Sequence, residues 1–156
     1  MRILGIDPGT GILGFGVIDI VNRQPVMVDG GVIRTPVKED DAVRLLTIYE
    51  ELTEIIKQTK PDMMSVEKLF FARNVTTAMT VAQARGVVLL CGMQAGLSIH
   101  EYTPMQIKQA VTGYGKADKK QMQEMVRVIL KLTEIPKPDD AADALAAAIT
   151  HSMTVR

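Results

Sequence analysis

Ile3-Leu4-Gly5-Ile6-Asp7-Pro8-Gly9-Thr10-Gly11-Ile12-Leu13-Gly14-Phe15-Gly16-Val17-Ile18-Asp19, near the start of the chain, decides the fold. The first apolar run delivers one carboxylate, Asp7, into a Pro8-Gly9-Thr10-Gly11 turn. The second run alternates and carries β-branched residues. Together they read as strand, turn and antiparallel strand, with Asp7 at the mouth of the hairpin. Asp before Pro-Gly is also ordinary turn chemistry. The hairpin alone therefore leaves Asp7 as either a turn former or a ligand, and the positions of the other carboxylates discriminate.

Working outward, Pro25 to Thr35 is a third strand, with a bulge or twist expected at Gly30-Gly31. From Asp40 to Lys60 the apolar residues Val43, Leu46, Ile48, Tyr49, Leu52, Ile55 and Ile56 recur at helical spacing, and Pro61 stops the run. This predicts an amphipathic helix packed on the sheet. The next apolar run, Met63-Met64-Ser65-Val66-Glu67, again ends in a carboxylate. With a helix on each side it is a crossover strand parallel to the first, which brings Glu67 to the same sheet edge as Asp7. A charged residue marking a strand boundary is the plain alternative.

Asn74 can cap a helix running to about Gln94. Its centre, Val81 to Met93, is apolar on nearly every side, so it must be buried on more than one face: either it is the central core helix or, the favoured reading, one face meets the core and another a second subunit. Ser98 to Tyr102 is a further strand. Pro104 opens a helix through Val111 in the favoured first-turn position. Thr112 to Asp118 is a glycine-punctuated loop expected to move, and helical spacing returns from Lys119 to Leu132. Pro136-Lys137-Pro138 then precedes a last helix, Asp139 to about Met153.

On that helix Asp140 and Asp143 are three apart and share a face. Acids in a first turn complement the helix dipole, and Asp139 reads as the N-cap. That explanation fits Asp143 poorly, because it lies deeper among Ala141, Ala142, Ala144, Leu145, Ala146, Ala147 and Ala148. Alanines let a helix approach a sheet closely, and a charge on such a face needs a partner, for which a metal ion is the natural choice.

At 156 residues the chain fits one domain, residues 1–156, and can bury roughly 70% of its extended-chain surface without disulfide or structural metal. The lone Cys91, inside an apolar run, is expected in the core, which argues against an oxidising compartment. No long apolar span and no basic-then-apolar leader is present, so the expectation is cytoplasmic, with no membrane partner. A net charge of zero excludes a protein coated in basic surface, yet the charge is uneven. Between Glu39 and Glu67 eight acids face three bases, while between Pro104 and Lys137 seven bases face three acids. One basic surface or ordinary solvated helix faces would each account for this.

Gly5-Ile6-Asp7-Pro8-Gly9, Val66-Glu67 followed by Phe70, Gln83-Ala84-Arg85-Gly86, and Asp140-Ala141-Ala142-Asp143 through Ile149-Thr150-His151 resemble the RuvC family of Holliday junction resolvases, in order and along essentially the whole chain. The resemblance implies an α/β ribonuclease-H-like fold, with a five-stranded mixed sheet and helices on both faces. It implies a bacterial or phage-type homodimer that nicks four-way junctions in recombination and repair, leaving 5′-phosphate and 3′-hydroxyl ends, with branch-migration proteins of RuvA/RuvB type as partners. Carried over by position, the catalytic, metal-binding tetrad is Asp7, Glu67, Asp140 and Asp143, with Asp139 a rival for the third place. Phe70 matches the aromatic that stacks on junction bases, and Lys108 and Lys119 match basic positions near the scissile strand. Phosphate contacts are expected from Arg73, Lys116 and Lys120 as well, while Phe71 is expected in the core. His151 is expected to be a capping or surface histidine, within possible reach of the site edge. Gly11 and Leu13 depart from the family's commonest residues after the first turn.

Four converging carboxylates suit phosphodiester hydrolysis. Two Mg²⁺ ions, with Mn²⁺ as a substitute, activate water and stabilise the leaving oxygen, and hard ions take oxygen ligands. Without metal the cluster repels itself and its pKa values rise. Gly9 and Gly11 are expected to leave the turn backbone open to phosphate. The competing readings are a ribonuclease H acting on RNA–DNA hybrids, an actin-like or sugar-kinase-like nucleotide-binding domain, and a non-catalytic junction-binding module.

Overall fold

A computed structural model describes residues 1–9, 11–68 and 75–155. The expectations for Phe70, Phe71, Arg73 and the Asn74 cap lie outside the described residues. Among these residues, β1 (Arg2–Asp7), β2 (Ile12–Val21), β3 (Gln24–Arg34), β4 (Met63–Glu67) and β5 (Ser98–Tyr102) form one mixed sheet in the order β3-β2-β1-β4-β5. β1, β2 and β3 are an antiparallel meander, and β4 and β5 join parallel to β1. Asn22 and Arg23, with φ of 52° and 66°, make the β2–β3 link a two-residue turn whose positive φ values match the strand twist.

Strand alternation sorts the side chains. Leu4, Ile6, Leu13, Phe15, Val17, Met64 and Val66 point to one face and pack with Ile48, Leu52 and Ile56 of α1 (Asp41–Thr59) and Ala84, Val88 and Cys91 of α2 (Val75–Gln94). Ile3 and Ile18 point to the other face, where they meet α3 (Pro104–Thr112), α4 (Lys119–Ile129) and α5 (Asp139–Thr154). Cys91 is buried, as expected.

Several local expectations are corrected. The irregularity in the β2–β3 ladder is not at Gly30-Gly31: Val17 pairs with Asp29 and Ile18 with Met27, so Val28 is the extra residue. Val43 and Leu46 are exposed; the sheet meets the α1 stripe centred on Ile48, Leu52 and Ile56. α4 stops at Ile129, with Leu130 as its C-cap and Lys131 at φ 55°. Pro138, not Asp139, is the N-cap of α5.

α5 comes unusually close to the sheet because both surfaces lack bulk. A Cβ built on Gly5 would collide with the Ala144 carbonyl, and one on Gly14 with the Asp140 carbonyl. Glycine in the strands and alanine in the helix are thus two halves of one contact. Ser65 ties it further, its hydroxyl donating to the Ala147 carbonyl at 2.6 Å in the buried interior.

Candidate active site

The parity that sends Leu4 and Ile6 toward α1 and α2 sends Ile3, Gly5 and Asp7 toward α5. On β4 it sends Met63, Ser65 and Glu67 the same way. Because Ile6 pairs with Val66 in the parallel ladder, Asp7 and Glu67 arrive side by side at the carboxyl edge of the two strands. Gly14 is the β2 partner of Asp7, and the Asp140 backbone lies directly over Gly14. The close approach of α5 therefore carries Asp140, and Asp143 one turn on, to Asp7. One carboxylate oxygen from each of Asp7, Asp140 and Asp143 lies within 4.8 Å of the others. Glu67 lies beside Asp7, close enough to raise its pKa.

The carboxylates' proton affinities report this crowding. Asp7 is only 9% exposed; burial first, then the neighbouring Glu67, Asp143 and Asp140, hold its carboxyl far above the usual range. Asp143 is pushed up to about 6, by burial first and then by Glu67, while Lys119 pulls in the opposite direction. Buried like charges favour protonation unless a cation neutralises them. Compact, all-oxygen and anionic, the donor set fits a hard divalent cation.

Cations stand on one flank. A cleft of about 280 Å³ is lined by Glu67 and Asp143 together with Lys108 and Lys119. Two capping boxes set the helices that present these lysines, Thr103 with Gln106 at the start of α3 and Asp118 with Gln121 at the start of α4, each satisfying two free backbone donors. Lys119 Nζ lies 3.2 Å from Asp139 Oδ2, an exposed pair, which raises the Lys119 pKa and is weak enough for a phosphate to displace. Asp139 is thereby committed to Lys119, whereas Asp140 joins the cluster. Lys120 lines a neighbouring apolar pocket with Tyr114, Met125 and Ile135. Lys116 is exposed on the loop between α3 and α4.

Two expectations need correction here. His151 is neither a cap nor a surface residue: it is 1% exposed. Its Nδ1 lies 2.7 Å from the Tyr102 hydroxyl, its Nε2 is 3.0 Å from Met63 Sδ, and its ring stacks on His100 with centroids 4.0 Å apart. Burial, then His100, lowers its pKa. Nor is the missing Gly9 side chain a gap for phosphate: a Cβ there would strike the Ile12 carbonyl. The sequence reading passed over Ser65, His100 and Tyr102; the signal was strand parity, because each shares the Glu67 face in the β4–β5 register.

A mixed sheet of this order, with carboxylates from two adjacent strand ends and a close-packed helix, is the architecture of the ribonuclease-H-like class. A family model described as "Crossover junction endodeoxyribonuclease RuvC" matches residues 3–151. A protein of that name from Heliobacterium modesticaldum is 57% identical over 156 residues, covering 99% of this chain and 96% of the relative. The solved Thermus thermophilus RuvC has a TM-score of 0.93 at 38% identity, over 100% of this chain and 96% of its own. The same protein in complex with a Holliday junction substrate gives 0.94 at 38% identity, covering 100% and 95%. The chain belongs to the RuvC family of crossover junction endodeoxyribonucleases.

Proposed function

We propose that residues 1–156 act as one nuclease domain that resolves four-way DNA junctions by hydrolysing one phosphodiester per subunit at the Asp7 cluster. Asp7, Glu67, Asp140 and Asp143 would hold the divalent cations, with Asp7 central among them. Bound Mg²⁺, or Mn²⁺ in its place, supplies polarisation of the phosphate and a nucleophilic water near neutral pH, giving 5′-phosphate and 3′-hydroxyl ends. Lys119 releases Asp139 to meet charge developing on the phosphate, and Lys108 holds the same strand in the cleft. Lys116, Lys120 and Arg73 contact flanking phosphates, which makes affinity fall with salt, and Phe70 stacks on bases freed at the crossover.

A substrate with two-fold symmetry calls for a two-fold protein. The outward stripe of α2 supports this: Met79, Leu90 and Met93 are 62%, 51% and 65% exposed, interleaved with Ala82 and Gly86, in a helix whose other side is core. Leu90→Glu should convert a dimer into a monomer in sedimentation. The uncut junction would be handed over by branch-migration proteins of RuvA/RuvB type, a partner that rests on family membership. A cytoplasmic location follows from the proposed substrate, the bacterial chromosome.

The observation that carries the reading is the meeting of Asp7, Asp140 and Asp143 oxygens within 4.8 Å beside a lysine-lined cleft. Its test is metal-dependent nicking of a synthetic four-way junction, with linear duplex and RNA–DNA hybrid controls. Symmetric nicks confined to the junction are expected. Equal cutting of the hybrid would favour the ribonuclease H reading.

A further inference from the structure

The lysine-lined cleft serves only one flank of the carboxylates. A second, open groove of about 540 Å³ meets them at Asp140 and is lined by Arg34, Lys137, Pro138, Asp139 and Asp140. Its place follows from the sheet. β3 is antiparallel to β2, which is antiparallel to β1, so β3 runs parallel to β1 and ends, at Arg34, on the edge where Asp7 and Glu67 end. Asp7 pairs with Gly14, and Gly14 with Val32. By alternation Arg34, two residues on, shares the α5 face with them. Along this edge Glu67 lies one strand from Asp7 on the β4 side, and Arg34 lies two strands away on the β3 side.

Both groove cations are exposed, and neither makes an ion pair among the described residues; the neighbouring Asp139 pairs with Lys119 instead. A strand whose phosphate sits at Asp7 must continue past the cluster in both directions. On the β4 side its backbone meets Lys108 and Lys119. On the β3 side it would pass the carboxylates of Asp139 and Asp140, a repulsive surface but for the two cations beside them.

We propose that Arg34 and Lys137 form a second phosphate subsite, which holds the backbone of the cleaved strand on the β3 side of the scissile phosphate. The inference rests on the proposed junction substrate and deepens it. Arg34 and Lys137 are positioning residues: with Lys108 and Lys119 they fix the strand at two points, so that the phosphate between them lies over the carboxylates.

The test uses the full chain, a four-way junction in chelator, and two double variants, Arg34→Ala with Lys137→Ala and Arg34→Lys with Lys137→Arg. Loss of two phosphate contacts should reduce the slope of log affinity against log salt by about 1.8, so the affinity lost between 50 and 200 mM salt becomes about tenfold smaller. Neutral methylphosphonates are then placed singly on each side of the cut. Wild type should lose affinity for substitutions on both sides. The alanine pair should become insensitive on one side only, and the charge-keeping pair should retain the wild-type profile. An unchanged methylphosphonate profile in the alanine pair, with only a lower Mg²⁺ requirement for cutting, would show that the cations merely offset Asp139 and Asp140 and would overturn the subsite. Wild type that binds no junction would instead overturn the proposed function, and this inference with it.

Discussion

The two faces of the sheet solve different problems. Toward α1 and α2 the strands present Leu4, Ile6, Leu13, Phe15 and Val17, bulky side chains that meet Ile48, Leu52, Ile56 and Val88. There the helices stand off by the length of two side chains, and small rearrangements can be absorbed by rotamer shifts. Toward α5, at the carboxylate edge, Gly5 and Gly14 meet the backbone of Ala144 and Asp140. No side chain intervenes to absorb an error. Both faces hold an aliphatic core, and the glycine–alanine contact within the second makes the positions of Asp140 and Asp143 relative to Asp7 definite.

The largest expected effect breaks the chemistry while leaving both faces intact. Asp7→Asn should bind four-way junctions about as well as wild type, yet cut them at least about 10³-fold more slowly, a barrier increase of about 4 kcal/mol. Appreciable cutting in Mg²⁺ by this variant would remove Asp7 from its central role.

Next comes a direct contrast between the faces. Gly14→Ala forces the Asp140 backbone away, which should cost about 2–3 kcal/mol of stability and about 100-fold in single-turnover cutting through misplacement of the carboxylates. Leu52→Ala on the opposite face should cost about 3 kcal/mol but leave the cutting rate of the folded fraction unchanged. Denaturant melts and single-turnover rates measured side by side check both; equal kinetic damage from the two would erase the distinction.

A smaller effect concerns pH. Asp143 is held at about 6 against an unfolded value of 3.8, so the stability it contributes as a neutral acid is complete below about 4 and is lost as pH rises through about 6. In chelator, wild type should therefore lose melting temperature relative to Asp143→Asn between pH 5 and 7, by roughly 2–4 °C for each kcal/mol, and Mg²⁺ should restore it. His151 titrates with the opposite sign: its lowered pKa withdraws stability as pH falls below 6.5. Because His151 is common to both proteins, it cancels in the difference, which reports Asp143 together with the shift it imposes on the neighbouring Asp7. The smallest change is Ser65→Ala, expected to cost about 1 kcal/mol by removing the hydrogen bond to the Ala147 carbonyl.

Much of the edge was legible. Two apolar runs ending in Asp7 and Glu67, with helices around the second, imply parallel neighbours, and parallel neighbours share an edge. The three-residue spacing of Asp140 and Asp143 implies one helix face. What escaped is information held by neighbours. Asp139 looked like an N-cap, but Pro138 takes that place and the carboxylate turns to Lys119. A near-terminal histidine looked exposed, yet the His100–Tyr102 strand covers it. Gly30-Gly31 looked like the bulge, but the register slips at Val28. Gly9 looked like a gap for phosphate, yet its missing Cβ makes room for the Ile12 carbonyl.

By itself the sequence determined which residues lie on which face of each strand and helix, because the periods of 2 and 3.6 are local properties of the backbone. It also placed small residues in β1, β2 and α5. Only the tertiary structure decided that these surfaces meet glycine to alanine, that Asp140 rather than Asp139 joins Asp7, and that Arg34 ends on the same edge. Those outcomes depend on register and on distance between elements remote in the chain, which no local period encodes.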